Sequence, residues 1–444
     1  MNVLVVGGGA REHAICDAIS RSKSDVKLFT ILHNLNPGIE KLSHSFLHEK
    51  ETDVSIVRDY ASENDIDLVF IGPEAPLELG IVDELEKTGI SACAPTQKAA
   101  RIETDKEWMR NLLNKYKIHG QLKSESFSKL SMVERFIDDL NGQVAIKPIG
   151  LTGGKGVRVA GDHFNGTKEA MDYVRDVIHN KIGGKAKVLI EEKAIGEEFT
   201  LQAFSDGGSI LPLQAVQDHK RLLPNDKGPN TGGMGSYSCS NGLLPFLTKG
   251  EYEESASILQ NVVESLSKEG CPYVGPIYGQ FMLTAEGPKI IEINARFGDP
   301  EAMNVLPLLE TDIVKLGSSM VEGSLSKMKI KFKNKSTVCK YVVPEGYGSK
   351  SMVGEKIYVD DREIYMTGSN LFYASVNKEN NYLTTTTSRS LAVVGVADEL
   401  NQAEVICEKA LKFVKGDHVF IRHDIGTAEL IEKRIKHMKK IRGM

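Results

Sequence analysis

Val3-Leu4-Val5-Val6-Gly7-Gly8-Gly9-Ala10-Arg11-Glu12-His13 is the stretch that decides the fold of the N-terminal part. An apolar run of one strand's length meets three glycines and then residues suited to a helix. Further apolar runs over 26–32 and 67–71 repeat the pattern. The last ends at Gly72-Pro73-Glu74, and a helical pattern follows with Leu79, Val82 and Leu85 on one face and Gly89 as its stop. Strand, glycine turn, helix, strand predicts an open parallel α/β sheet. Ligands of such sheets bind beyond the C-terminal strand ends, where the 7–13 and 72–77 loops fall.

The glycine turn itself has two readings. Backbone N–H groups at a helix start favour an anion, and a tight strand-to-helix turn needs glycine for space alone. Arg11 and His13 favour a phosphorylated ligand. A dinucleotide is disfavoured, because its third glycine would stand where Glu12 does and the second strand ends Leu32-His33-Asn34 without an acid.

A second unit begins near Arg101. Thr104-Asp105-Lys106-Glu107 fits a capping box with Thr104 as N-cap. From Gln143 to Arg296 strands and glycine turns dominate. Val144-Ala145-Ile146-Lys147 alternates, Pro148 ends it, and Gly150-Leu151-Thr152-Gly153-Gly154-Lys155-Gly156 follows. The spacing is not that of a P-loop. A mobile hairpin could instead lay N–H groups and Lys155 over phosphates, with Lys147 a short loop away. Val188-Leu189-Ile190-Glu191-Glu192-Lys193 and Gly196-Glu197-Glu198-Phe199-Thr200 suit a strand-to-strand hinge, as they would a charged edge strand.

In Lys289-Ile290-Ile291-Glu292-Ile293-Asn294-Ala295-Arg296, alternation puts Ile291 and Ile293 in the core and Glu292, Asn294 and Arg296 on the other face. A carboxylate and an amide oxygen suit magnesium, which shares its shell with substrate phosphates. An arginine fork suits a phosphoryl group. A hairpin at Glu286-Gly287 pairs Gln280 with Glu292 in one register, making Gln280 a third oxygen ligand. Farther on, strands are expected over 338–343, 371–376 and 391–396, with a helix over about 401–414 capped by Asp398.

At 444 residues the chain suggests two to four domains. A net charge of −5 gives no general pull toward nucleic acid or anionic membrane. The basic run Lys433, Arg434, Lys436, Lys439, Lys440, Arg442 is interrupted by acids upstream and reads as a solvated terminal helix or tail. Apolar runs are too short to span a bilayer, and the N-terminus reads as a strand rather than a signal peptide. The six scattered cysteines form no zinc or disulfide pattern and point to a reducing cytoplasm.

Five stretches, in order, resemble the ATP-grasp ligases, and among them the glycinamide ribonucleotide synthetase family: Gly9-Ala10-Arg11-Glu12-His13, Gly72-Pro73-Glu74-Ala75-Pro76-Leu77, Gln217-Asp218-His219-Lys220-Arg221, Gly228-Pro229-Asn230-Thr231-Gly232-Gly233-Met234-Gly235 and Arg296-Phe297-Gly298-Asp299-Pro300-Glu301. The resemblance implies an α/β and α+β multidomain chain. Its parts would be a Rossmann-like N-terminal domain (1–102), an ATP-grasp domain (103–325, with a mobile lid about 118–192) and a small mixed α/β C-terminal domain (326–444). It implies a soluble cytoplasmic ligase of purine synthesis, monomer or homodimer, joining glycine to 5-phosphoribosylamine through glycyl phosphate. ATP would lie near Lys106, Lys147 and Lys155, with Glu191 by the adenine hinge and Glu198 on the ribose. Glu292 and Asn294, with Gln280, would hold Mg2+ or Mn2+. Gly9, Arg11, Glu12, His13, Glu74, Lys220, Arg221, Asn230, Thr231, Gly232, Gly233 and Met234 would surround the amine substrate and glycine. Arg296 and Lys155 would offset phosphoryl charge, and Asp218 or Asp299 would hold the glycine ammonium. The chain departs from the family form at Pro148-Ile149, Thr152-Gly153 and Gln280. Rival readings are a purine-pathway or biotin-dependent carboxylase of the same fold and a nicotinamide-dependent oxidoreductase.

Overall fold

The computed structural model describes residues 1–151 and 156–444. The N-terminal sheet has five parallel strands in the order Ser45–His48, Lys27–Leu32, Asn2–Val6, Leu68–Ile71, Ser91–Ala92. Val3 to Val6 are fully buried, as a strand covered on both faces requires. Strand order reverses between Asn2–Val6 and Leu68–Ile71, so the two loops singled out above flank the switch point. Leu79 is not on the apolar face. It is 53% exposed, because Gly80 (φ +80) breaks the helix into Glu74–Glu78 and Ile81–Lys87.

Two four-stranded sheets form the middle of the chain. One runs Ser124–Phe127, Val188–Glu192, Val144–Pro148, Arg158–Val159; the other runs Ile210–Pro212, Glu197–Asp206, Val274–Thr284, Gly287–Asn294. Lys147 Nζ of the first donates to the Ile291 carbonyl of the second at 3.0 Å, so the two sheets converge on a common cleft. Helix Lys106–Lys115 lies at this junction. Its cap is Asp105, whose carboxylate accepts the Trp108 N–H at 3.0 Å. Thr104 instead closes the preceding helix, Gln97–Thr104, and Glu107 pairs with Lys187 at 2.6 Å.

Gln280 does pair with Glu292, and Tyr278 with Asn294. A bulge between Gln280 and Phe281 interrupts the alternation, because Phe281 pairs with Ile290. Ile290 and Ile293 therefore fill the core, and Ile291 does not. The extra residue turns its backbone into the cleft, where the Ile291 carbonyl accepts from Lys147 and from Arg110.

The last sheet is composite. Ser336–Pro344, Leu391–Ala397 and Asn370–Tyr373 are joined by Gly235–Ser238 and Gln217–Asp218 from the middle of the chain. Helix Leu400–Leu411 packs on it, with Glu399 at its N-cap; Asp398 pairs with Lys335 at 2.7 Å instead. The terminal basic run does form a helix, Ala428–Ile441, largely solvated but anchored at several points. Met438 is buried, Arg434 lies 3.0 Å from Glu197, and Arg442 lies 2.7 Å from Glu251. Among the described residues no helix is long and apolar enough to cross a membrane.

Candidate functional site

The nucleotide side of the cleft is built on Lys147 and Lys106. Lys147 Nζ lies 2.6 Å from Glu191, whose other oxygen accepts from Arg110 Nε at 2.6 Å. Burial pushes the Glu191 carboxyl up, but Arg110 and Lys147 outweigh it and hold it below the ordinary range. Glu191 is thus a buried counter-ion that fixes both cations, and this occupies the carboxylate expected beside adenine. Lys106 Nζ donates to the Gly150 carbonyl at 2.8 Å, and burial lowers its pKa. Lys155 lies outside the described residues.

Glu292 and Asn294 stand together on one strand, half-buried and facing this cleft. Burial pushes the Glu292 carboxyl up, and the Lys220, Lys147 and Lys106 ammonium groups outweigh it, so it stays ionised. An ionised carboxylate beside an amide oxygen fits a hard divalent cation. Among the described residues no group of three or more His, Cys, Asp or Glu could cage a metal alone. Gln280 is drawn away from that role. Its Oε1 accepts from Lys220 Nζ at 2.5 Å and its Nε2 donates to Glu198 at 2.7 Å. Gln280 thus links Lys220 to Glu198.

The N-terminal turn resolves in favour of space. A Cβ on Gly72 would lie 1.9 Å from Glu12 Oε1, so the glycines make room for this carboxylate. Glu12 accepts the Gly9 N–H and the Arg11 Nε, each at 2.7 Å. The Gly9 N–H at the helix start is thus taken by the chain's own carboxylate. Arg11 also reaches the Phe297 carbonyl at 3.2 Å.

His13 is buried against Gly38 and stacks on Tyr373. Its Nδ1 accepts the Tyr373 N–H at 2.9 Å, which leaves the ring proton on Nε2. It fastens the first helix to the C-terminal sheet. Burial drives its pKa down to about 3, against the weaker effect of that hydrogen bond. Between pH 6.5 and 3 the unfolded chain therefore binds a proton that the native state refuses, so stability falls as pH falls through this window. The slope from this residue approaches about 1.4 kcal/mol per pH unit. Chemical denaturation at pH 7, 6 and 5 measures it. His13→Asn, which keeps an acceptor for Tyr373, flattens the slope; an unchanged slope would show that His13 is already protonated in the fold.

Arg296 bridges the N-terminal and middle parts. It lies 3.2 Å from both Glu74 and Glu103 and donates to the Phe297 carbonyl at 3.0 Å. Burial pushes Glu74 up, but Arg296 and Arg11 prevail and hold it at about 2. Burial lifts Glu103 to about 7 despite Arg296, with Glu74 adding repulsion.

The composite sheet builds the remaining wall. Thr231 N–H and Met234 N–H donate to the Lys220 and His219 carbonyls, both at 2.8 Å, which folds the third and fourth family stretches onto each other. Asn230 pairs with Arg221, which reaches Asp162 at 2.6 Å. Met234 is fully buried and packs in the core. The two acids left open at the sequence level now differ. Asp299 lies 3.0 Å from Arg389 and accepts the Tyr341 hydroxyl at 2.5 Å. Asp218 Oδ1 is buried with no partner among the described residues. Burial and the neighbouring Glu301 push the Asp218 carboxyl well above its usual range. Glu301 itself is occupied by Thr200 and Tyr278, each at 3.0 Å.

Family profiles match over the chain's length: phosphoribosylglycinamide synthetase N domain at residues 1–103, its ATP-grasp domain at 104–302 and its C domain at 337–428. A phosphoribosylamine–glycine ligase of Methanothermobacter thermautotrophicus is 50% identical over 443 residues, covering 100% of both chains. The chain belongs to the phosphoribosylglycinamide synthetase family. With that family it is an ATP-dependent carbon–nitrogen ligase, and its three-part fold is the one the resemblance implied. A phosphoribosylamine–glycine ligase crystal structure from Thermotoga maritima has the same fold at 24% identity, with a TM-score of 0.81 over 96% of this chain and 100% of that one. The fold extends to the biotin carboxylase domain of a Hydrogenobacter thermophilus 2-oxoglutarate carboxylase, determined with MgADP and bicarbonate. That match has 16% identity and a TM-score of 0.74, over 99% of this chain and 93% of the other.

Several residues of the synthetase cleft carry no sequence signal. Arg110 and Glu103 sit on helices that read as packing elements, and Arg389 and Tyr341 lie far downstream. Glu301 closes the rigid, charged turn after Arg296, but nothing in the sequence ties it to Thr200 and Tyr278.

Proposed function

We propose that this cleft uses ATP to convert glycine's carboxylate to glycyl phosphate and then passes the glycyl group to the amine of 5-phosphoribosylamine. The products are glycinamide ribonucleotide, ADP and phosphate, a step of purine synthesis. What supports this reading most is Asp218, whose Oδ1 is buried without a hydrogen-bond partner among the described residues. A buried carboxyl oxygen without a hydrogen-bond donor costs stability unless a ligand supplies one, and glycine's ammonium is such a donor.

The chemistry asks mainly for position and charge. Glycine's carboxylate oxygen attacks the γ-phosphorus as the bond to the β-phosphate oxygen breaks, and ADP departs. The amine nitrogen then attacks the acyl carbon, loses a proton, and phosphate leaves. Lys106 and Lys147 hold the phosphates, Lys147 aimed by Glu191, and Glu198 takes the ribose. Glu292 and Asn294 would hold Mg2+ or Mn2+, which would supply positive charge against the triphosphate. Arg296, steadied by Glu74 and Glu103, offsets charge near the transferring group. Asp218 orients glycine through its ammonium. Glu74 and the 230–234 segment border the phosphoribosylamine.

Glycine labelled with 18O in its carboxylate tests this directly. The label should appear in the released phosphate, one atom per turnover. Unlabelled phosphate would rule out the acyl phosphate.

A further inference from the structure

Arg389 enters the cleft from the loop before strand Leu391–Ala397, and its side chain is only 13% exposed. Every partner it has is part of the wall beside Asp218. Nη2 lies 3.0 Å from the Asp299 carboxylate. Nη1 donates to the carbonyls of Gly232 at 2.6 Å, Asp299 at 3.0 Å and Gly233 at 3.2 Å. The guanidinium lies 4.5 Å over the Tyr341 ring, and Tyr341 donates to the other oxygen of Asp299. A second tie comes from Tyr347, whose hydroxyl accepts the Gly232 N–H at 3.4 Å.

These contacts hold a loop that has no freedom to spare. Gly233 has φ +107, and a Cβ there would lie 2.8 Å from Asp218 Oδ1 and 2.7 Å from Pro300 Cδ. The Gly232–Gly233 backbone is thus pressed between the unpaired acid and the turn bearing Asp299. Both terminal nitrogens of Arg389 are committed to protein acceptors, so its hydrogen bonds work through the loop, while its charge also acts on Asp218 across space.

We propose that Arg389 is a positioning residue for the amino-acid substrate: its fork, supplied by the C-terminal sheet, locks the Gly232–Gly233 loop to the Asp299 turn and so fixes where Asp218 meets the substrate ammonium. This rests on the assignment of Asp218 to that ammonium. A planar fork is required because three carbonyls and a carboxylate must be met from two nitrogens, which a lysine ammonium cannot do.

Steady-state kinetics of the full-length protein test it, with glycine and ATP varied in turn. Arg389→Lys raises the glycine KM about ten-fold or more, leaves the ATP KM within about two-fold, and is not rescued by its retained charge. Tyr341→Phe, which deletes one hydroxyl from the same lock, raises the glycine KM about three-fold and decides the matter alone if the lysine variant does not fold. Asp218→Asn combined with Arg389→Lys is no worse for glycine than Asp218→Asn alone, because the lock acts through that acid. Equal losses for both substrates, or effects that multiply in the double variant, overturn the proposal. If Asp218→Asn raises the glycine KM but Arg389→Lys and Tyr341→Phe do not, the lock fails and the ammonium site stands. If Asp218→Asn leaves the glycine KM unchanged, the ammonium site itself fails.

Discussion

Glu292→Ala abolishes turnover and leaves the fold intact. The core contribution of that strand comes from Ile290 and Ile293, which are fully buried, whereas Glu292 is half-buried on the cleft face. Removing it deletes the only carboxylate of the candidate ligand pair, and no acidic cluster among the described residues can replace it. The lysines that hold it ionised, Lys220, Lys147 and Lys106, then face one another without it. Loss of one preorganised electrostatic partner commonly costs about 10²–10³ in rate, and loss of the metal's anchor costs at least that. ADP release measured beside a thermal melt checks the outcome. Near-normal turnover in the alanine variant would refute the metal assignment.

Asp218→Asn has an opposite signature in its two readouts. A buried charged contact to a ligand is worth about 2–5 kcal/mol on truncation of one partner, so the glycine KM rises on the order of 10²-fold. The ATP KM stays close to its starting value, because the nucleotide is held by groups on the other sheets. Stability does not fall and can rise. The native protein buries an acid with an unpartnered oxygen beside Glu301, and the amide removes that repulsion. A variant that loses glycine affinity while melting no earlier fits a ligand site. A variant that melts early and keeps its glycine KM would mean that Asp218 serves the fold.

Where the sequence was misleading, a neighbour distant in the chain intervened. The glycine turn after Asn2–Val6 looked like an anion cradle, but Glu12 fills it, and the fit depends on Gly72 from another strand. Gln280 was placed in the correct register, yet its oxygen went to Lys220, which arrives from the composite sheet. Alternation failed at Ile291 because the bulge serves Lys147 and Arg110 across the cleft, a demand that no local pattern expresses. Asp299, unlike Asp218 Oδ1, is engaged by Arg389 and Tyr341, both far downstream in the chain.

Local chemistry, by itself, determined the parallel N-terminal sheet, the hairpin at Glu286-Gly287, and the side-by-side placement of Glu292 and Asn294, whereas the Gln280–Glu292 pairing needs the bulge. The first three follow from side-chain period or turn geometry within a few residues, which backbone sterics impose wherever the segment ends up. Only the tertiary structure decided that Gln217–Asp218 and Gly235–Ser238 join a sheet whose other strands begin at Ser336. Pairing across such a separation is selected by which faces the whole chain can bury together, and a short window of sequence holds no record of that choice.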